Sequence, residues 1–121
     1  MAAALRLVVL DDDPFQVELV VRALARDGFE VRGATTLDEL AAAIAALAPD
    51  IVLVDVNMPD APSDRAVAAV RVGAPAARLV LYSAWEASKL RALVRTLGAD
   101  GYASKSDSVF ELGARLRSLM A

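Results

Sequence analysis

Leu5-Arg6-Leu7-Val8-Val9-Leu10-Asp11-Asp12-Asp13-Pro14 is an aliphatic run that stops at three consecutive aspartates and a proline. The run does not alternate apolar and polar residues. It therefore reads as a strand buried on both faces, as in a parallel sheet covered by helices. Pro14 suits the first turn of a helix. Val17, Val20, Val21 and Leu24 then recur at i, i+3, i+4 and i+7, which is one helix face, and Gly28 sits where such a helix would end. The stretch is a strand, an acidic loop and a helix.

The same unit repeats along the chain. Ile51 to Val54 and Arg78 to Tyr82 read as buried strands. Phe29 to Val31 and Tyr102 to Ser104 are shorter and less apolar, as edge strands often are. Thr36 and Glu39 have capping-box spacing ahead of the face Leu37, Leu40, Ala41 and Ile44. A third helix starts at Ser63, carries Val67 and Val70, and stops at Gly73. Leu90, Leu93, Val94 and Leu97, closed by Gly98, form a fourth. Val109, Leu112, Leu116 and Leu119 form the last. Five strand–helix units with short connections predict an α/β fold, a parallel sheet with helices on both faces and right-handed crossovers. No Pro/Gly/Ser linker divides the chain, so one domain is expected over residues 1–121.

Composition narrows the function. The chain has no cysteine and no histidine. That excludes a disulfide framework, a thiolate zinc site, a thiol nucleophile, a Ser–His dyad and a histidine phosphocarrier. A hydrophobic fraction of 57% excludes intrinsic disorder. The net charge of −3 argues against nucleic-acid binding by this domain. The apolar runs are too short for a signal peptide or a membrane span, so a cytoplasmic protein with no membrane partner is expected.

In an open α/β sheet, ligands bind beyond the carboxyl ends of the strands. The first strand ends in Asp11, Asp12 and Asp13, the third in Asp55 followed by Asn57, the fourth in Ser83, and the fifth near Lys105. Each residue alone has an ordinary reading. Asp13 before Pro14 fits a helix N-cap, Ser83 fits a cap of the next helix, and Lys105 fits a solvated lysine. Together they bring several carboxylates to one spot, where like charges repel unless a cation neutralises them. All-oxygen ligands favour a hard ion, Mg²⁺ or Mn²⁺. A carboxylate beside such an ion can attack phosphorus and form an aspartyl phosphate. The Lys105 ammonium and the Ser83 hydroxyl are suited to the phosphoryl oxygens.

At these residues the sequence resembles the receiver domain of two-component response regulators. Val8-Val9-Leu10-Asp11-Asp12-Asp13-Pro14 resembles the family's acidic-pair motif. Pro49-Asp50-Ile51-Val52-Leu53-Val54-Asp55-Val56-Asn57-Met58-Pro59 resembles its phosphoacceptor segment. Val80-Leu81-Tyr82-Ser83-Ala84 and Gly98-Ala99-Asp100-Gly101-Tyr102-Ala103-Ser104-Lys105 resemble its last two motifs. The resemblance covers the whole chain and implies a doubly wound five-stranded parallel sheet of order 2-1-3-4-5 with five helices, a flavodoxin/CheY-like fold. It implies Asp55 as phosphoacceptor, with Ser83 and Lys105 contacting the phosphoryl group. Asp11, Asp12, Asp55 and the backbone carbonyl of Asn57 would hold Mg²⁺. Ser83 and Tyr102 would form a switch pair acting on the surface of the fourth helix, last strand and last helix; the ordinary reading of Tyr102 is a half-buried edge-strand aromatic.

The resemblance further implies that the chain is not an enzyme on an external substrate but catalyses only its own phosphorylation and dephosphorylation. With no histidine in the chain, the donor would be a phosphohistidine on a sensor histidine kinase or phosphotransfer protein. The target would be a downstream protein or an attached output domain, and many such domains form homodimers through the switching surface.

Three features depart from the family pattern. The loop Asp60-Ala61-Pro62-Ser63-Asp64 lacks a usual glycine, which bears on the start of the third helix. Ser106 follows Lys105 where many members carry a proline, often cis; no cis bond is expected here, and the version without proline is frequent among receivers joined to helix-turn-helix outputs. Trp85 lies two residues beyond Ser83, where a ring could shield the phosphoryl group or pack on the adjacent loop. Other functions on the same fold are a constitutive interaction module independent of phosphorylation and a small-ester phosphatase. A flavin site fits poorly, because three aspartates after the first strand would repel a phosphate.

Overall fold

A computed structural model describes residues 4–58 and 62–120. Strands and helices alternate: β1 (Arg6–Leu10), α1 (Pro14–Arg26), β2 (Glu30–Ala34), α2 (Leu37–Leu47), β3 (Ile51–Asp55), α3 (Ser63–Gly73), β4 (Arg78–Ser83), α4 (Ala87–Leu97), β5 (Gly101–Ser104) and α5 (Leu112–Met120). A 3₁₀ turn over Val109–Glu111 precedes α5. The strands pair in parallel in the order β2-β1-β3-β4-β5, as the sequence led one to expect. No helix among the described residues is long and apolar enough to cross a membrane.

The continuous aliphatic strands are explained by two cores. Val8, Leu10, Val52, Val54, Leu79 and Leu81 point into one layer with Leu40, Ile44, Val67 and Val70 of α2 and α3. Leu7, Val9, Ile51, Leu53, Val80 and Tyr82 point into the other, with Val20 and Leu24 of α1 and Leu112 and Leu116 of α5. Each fully buried aliphatic side chain contributes about 1.5–3 kcal/mol by leaving water. Because both faces are covered, neither can carry the polar alternation of a half-exposed strand.

Several boundaries differ from the sequence reading. β2 runs over Glu30–Ala34 instead of Phe29–Val31, because β1 pairs with it as far as Leu10 opposite Ala34. Phe29 instead closes α1, its N–H donating to the Leu24 carbonyl at 3.0 Å. Gly33 lies so close to Val17 of α1 that a Cβ there would collide with it. The last helical face is split because the Ser108 hydroxyl accepts the Phe110 N–H at 3.2 Å and tightens the first turn. Asp55 and Ser83 belong to β3 and β4, one residue beyond the expected ends.

The caps fix the loops around the sheet's carboxyl edge. Asp13 caps α1 by accepting the Phe15 N–H at 3.0 Å. Thr36 caps α2 by accepting the Glu39 N–H at 3.1 Å, while Glu39 accepts the N–H and hydroxyl of Thr35 at 2.7 Å each. The Ser63 hydroxyl donates to the Val56 carbonyl at 3.0 Å, tying the start of α3 to the loop after β3. Residues 59–61, part of the loop that lacks the family glycine, lie outside the described residues. The described peptide bonds are trans, including the one after Lys105.

Candidate functional site

β1, β3, β4 and β5 deliver their last residues to one edge. Asp11 follows β1 with its N–H bonded to the Ala34 carbonyl at 3.1 Å. Its Oδ1 accepts the Asp13 N–H at 3.0 Å, and its Oδ2 accepts Lys105 Nζ at 2.8 Å. Asp55 has the same arrangement on β3: Oδ1 accepts the Asn57 N–H at 3.0 Å, and Oδ2 lies 3.5 Å from Lys105 Nζ. The Lys105 backbone N–H donates to the Ser83 carbonyl at 2.8 Å, which fixes the root of the lysine against β4. Asp11, Asp55 and Ser83 are the buried polar residues of the described chain.

Asp12 is exposed, yet one carboxylate oxygen from each of Asp11, Asp12 and Asp55 lies within 4.8 Å of the others. Asp11 and Asp55 share one lysine and Asp12 adds a third carboxylate, which leaves an excess of negative charge. Burial pushes the Asp55 carboxyl above its ordinary value; the Asp11 charge adds to this, and the Asn57 N–H and Lys105 oppose it. Burial pulls the Lys105 ammonium down, but its hydrogen bond to Asp11 and the charges of Asp55 and Asp11 outweigh that and hold it above the usual range. The donor set is hard oxygen throughout and is short of positive charge, so it fits a divalent cation such as Mg²⁺.

The Ser83 hydroxyl accepts the Trp85 N–H at 3.0 Å, so it caps its own loop and not α4, which begins at Ala87. Trp85 is half-buried against the α2–α3 layer, with Lys89 Nζ 4.0 Å above its ring. Tyr102 is also half-buried and packs on that layer. The side chain of Asn57 is exposed.

Two contacts escaped the sequence reading. Arg115 of α5 donates to the Tyr102 carbonyl through Nε and NH2 at 3.1 and 2.9 Å, with its guanidinium 5.2 Å from the ring. Tyr82 lies beneath Lys105, with Nζ 5.3 Å from its ring centroid. The signal for Tyr82 was available: it is an aromatic phenol inside an otherwise aliphatic buried strand.

The fold and the edge cluster define a receiver-type signalling domain, and comparison with known proteins agrees. A family model described as response regulator receiver domain matches residues 7–117, and the chain belongs to that family. It is 33% identical over 117 residues to the probable transcriptional regulatory protein TcrX of Mycobacterium tuberculosis, covering 94% of this chain and 49% of that protein. It is 38% identical over 112 residues to a protein-glutamate methylesterase/protein-glutamine glutaminase of Anaeromyxobacter dehalogenans, covering 90% and 32%. The chain spans half or less of the length of these relatives. Among solved structures, the chemotaxis response regulator CheY4 of Vibrio cholerae superposes with a TM-score of 0.83 at 22% identity, over 96% of this chain and 98% of that one. A LuxR-family response regulator from Aurantimonas gives 0.81 at 26% identity, over 97% and 85%.

Proposed function

We propose that this receiver is a working phosphoacceptor. Acting in the cytoplasm, it takes a phosphoryl group onto Asp55 from the phosphohistidine of a sensor histidine kinase or phosphotransfer protein. The observation that carries the reading is the pair of buried carboxylates, Asp11 and Asp55, sharing Lys105 beside the exposed Asp12. Asp11, Asp12, Asp55 and the Asn57 carbonyl would hold Mg²⁺ or Mn²⁺. Such an ion, once bound, relieves repulsion among the carboxylates and neutralises charge on the phosphoryl oxygens.

The chain's own groups do the rest. The Asp55 carboxylate attacks phosphorus, the donor nitrogen–phosphorus bond breaks, and the imidazole leaves with the bonding electron pair. Backbone N–H donation from Asn57 orients the nucleophile. Lys105 is anchored by Ser83 and Asp11, and its ammonium has a short way to travel from Asp55 Oδ2 to a phosphoryl oxygen. The Ser83 hydroxyl, free to rotate away from the Trp85 N–H, donates to another. Tyr102 then turns inward behind Ser83 and biases the α4–β5–α5 surface between two states. A downstream protein, an attached output domain or a second copy of the chain would read that surface. Chemistry on external substrates is not part of this reading, and residues 1–121 act as one receiver unit.

Trp85 would cover the phosphoryl group on its α4 side. Trp85→Ala should shorten the aspartyl-phosphate lifetime, and an unchanged dephosphorylation rate would remove it from the mechanism.

The single tryptophan also serves as the probe. Its fluorescence should change saturably on adding Mg²⁺ and then beryllofluoride, and Asp55→Asn should abolish the second change. Silence of the wild type, together with no mass increase after acetyl phosphate treatment, would overturn the proposal. A constitutive interaction module would then be the better account.

A further inference from the structure

Tyr82 is the aromatic next to the site that the chemistry above leaves unused. It neighbours Ser83 on β4 but points to the other side of the sheet, into the α1–α5 layer, where it is 2% exposed. Leu or Val would fill that layer, as Val80 of the same strand and Leu53 of β3 do. A buried phenol needs a polar partner for its hydroxyl, and Gln16 of α1 faces it.

The ring has a second neighbour. Lys105 Nζ lies 5.3 Å from its centroid, inside the range in which a cation is attracted to an aromatic face. The same ammonium is held 2.8 Å from Asp11 and 3.5 Å from Asp55. A lysine is a point charge on a flexible four-carbon stem. Two carboxylates on neighbouring strands draw it toward themselves, and the aromatic face supports it from a third direction. Unlike another carboxylate, the ring adds no charge to compete with a phosphoryl group or a cation.

We propose that Tyr82 is a positioning residue whose ring face holds the Lys105 ammonium over the site, ready to pass from the aspartates to the phosphoryl group. The positioning itself is a property of the resting protein. Its kinetic consequence rests on Asp55 being the acceptor, as proposed above.

The test compares wild type, Tyr82→Phe, Tyr82→Leu and Tyr82→Met. Carbon–proton NMR of the Lys105 ε-methylene group, assigned with Lys105→Arg, reads the ring directly. Ring current should shift that signal upfield in wild type and Tyr82→Phe, and the shift should vanish in Tyr82→Leu and Tyr82→Met. Phosphorylation of Asp55 by acetyl phosphate should slow roughly fivefold to tenfold in the two aliphatic variants, in keeping with a partly buried cation–π contact, and be rescued in Tyr82→Phe. An unshifted Lys105 signal in wild type would overturn the proposal. So would a folded aliphatic variant that is phosphorylated at the wild-type rate. If wild type takes no phosphoryl group, the Asp55 reading fails while the NMR shift still decides the positioning claim.

Discussion

Carboxylates stand at both ends of the parallel sheet, but their partners differ. At the amino end, Asp50 Oδ2 accepts the Arg6 N–H at 2.9 Å and lies 3.6 Å from the Arg6 guanidinium. Asp100 Oδ2 accepts the Leu79 N–H at 2.8 Å and lies 3.6 Å from Arg71. Each acid there has its own peptide donor and its own arginine. At the carboxyl end, Asp11 and Asp55 also have one peptide donor each, but they share a single lysine, and Asp12 adds a third acid. The amino end even has the larger groove, about 720 Å³ lined in part by Arg6, Asp50, Arg78 and Met120, against about 240 Å³ beside Asp12. Unmatched charge, more than cavity size, distinguishes the end at which we propose the chemistry.

Substitutions at the two ends can break or sharpen this contrast. The largest difference is expected between Lys105→Ala and Arg6→Ala. Loss of the shared cation should slow phosphorylation by acetyl phosphate about 100-fold, the order of effect for a preorganised donor to developing charge, whereas Arg6→Ala should leave the rate unchanged. Similar losses in both would erase the distinction. Divalent cations should act at one end only. At Mg²⁺ concentrations about a hundredfold above its dissociation constant, wild type should gain about 2.7 kcal/mol of stability. Thermal melting should show that gain reduced in Asp12→Asn and intact in Asp50→Asn.

Asp100→Ala tests the closed end. It leaves the Leu79 N–H, on a buried strand, without its acceptor and should cost about 2 kcal/mol in urea unfolding. Its phosphorylation rate should match wild type; a rate change would mean that the amino end is coupled to the site. The smallest effect concerns Glu39, at the start of α2. Hydrogen bonds from the Thr35 side chain and N–H hold this carboxyl below its ordinary value of 4.5. A depressed carboxylate contributes stability above 4.5, lost as pH falls through its lower folded value. Glu39→Gln should therefore be slightly less stable than wild type at neutral pH, with the gap closing in acid. A gap that widens in acid would contradict this reading.

Much of this molecule is legible in its sequence because period and position coincide. Aliphatic strands covered on both faces gave the sheet, and the polar residues ending those strands gave Asp11, Asp12, Asp55, Ser83 and Lys105. The rest depends on contacts between distant segments. β2 extends to Ala34 by pairing with β1, and Gly33 leaves room for Val17 of α1, neither of which its weakly apolar sequence announces. The α5 region begins as a 3₁₀ turn through one serine hydroxyl. Asp50 and Asp100, just ahead of β3 and β5, meet their arginines only in the fold, and Arg115 meets Tyr102 from thirteen residues away. Tyr82 shows its relation to Lys105 only when β4 and β5 lie side by side.

The most direct test of the central claim is the intact mass of the protein after acetyl phosphate and Mg²⁺, with the modified residue located by borohydride reduction of the acyl phosphate. One phosphoryl group, on Asp55 and absent from Asp55→Asn, is the expected result. An unmodified wild-type protein, or the same mass increase in Asp55→Asn, would contradict it.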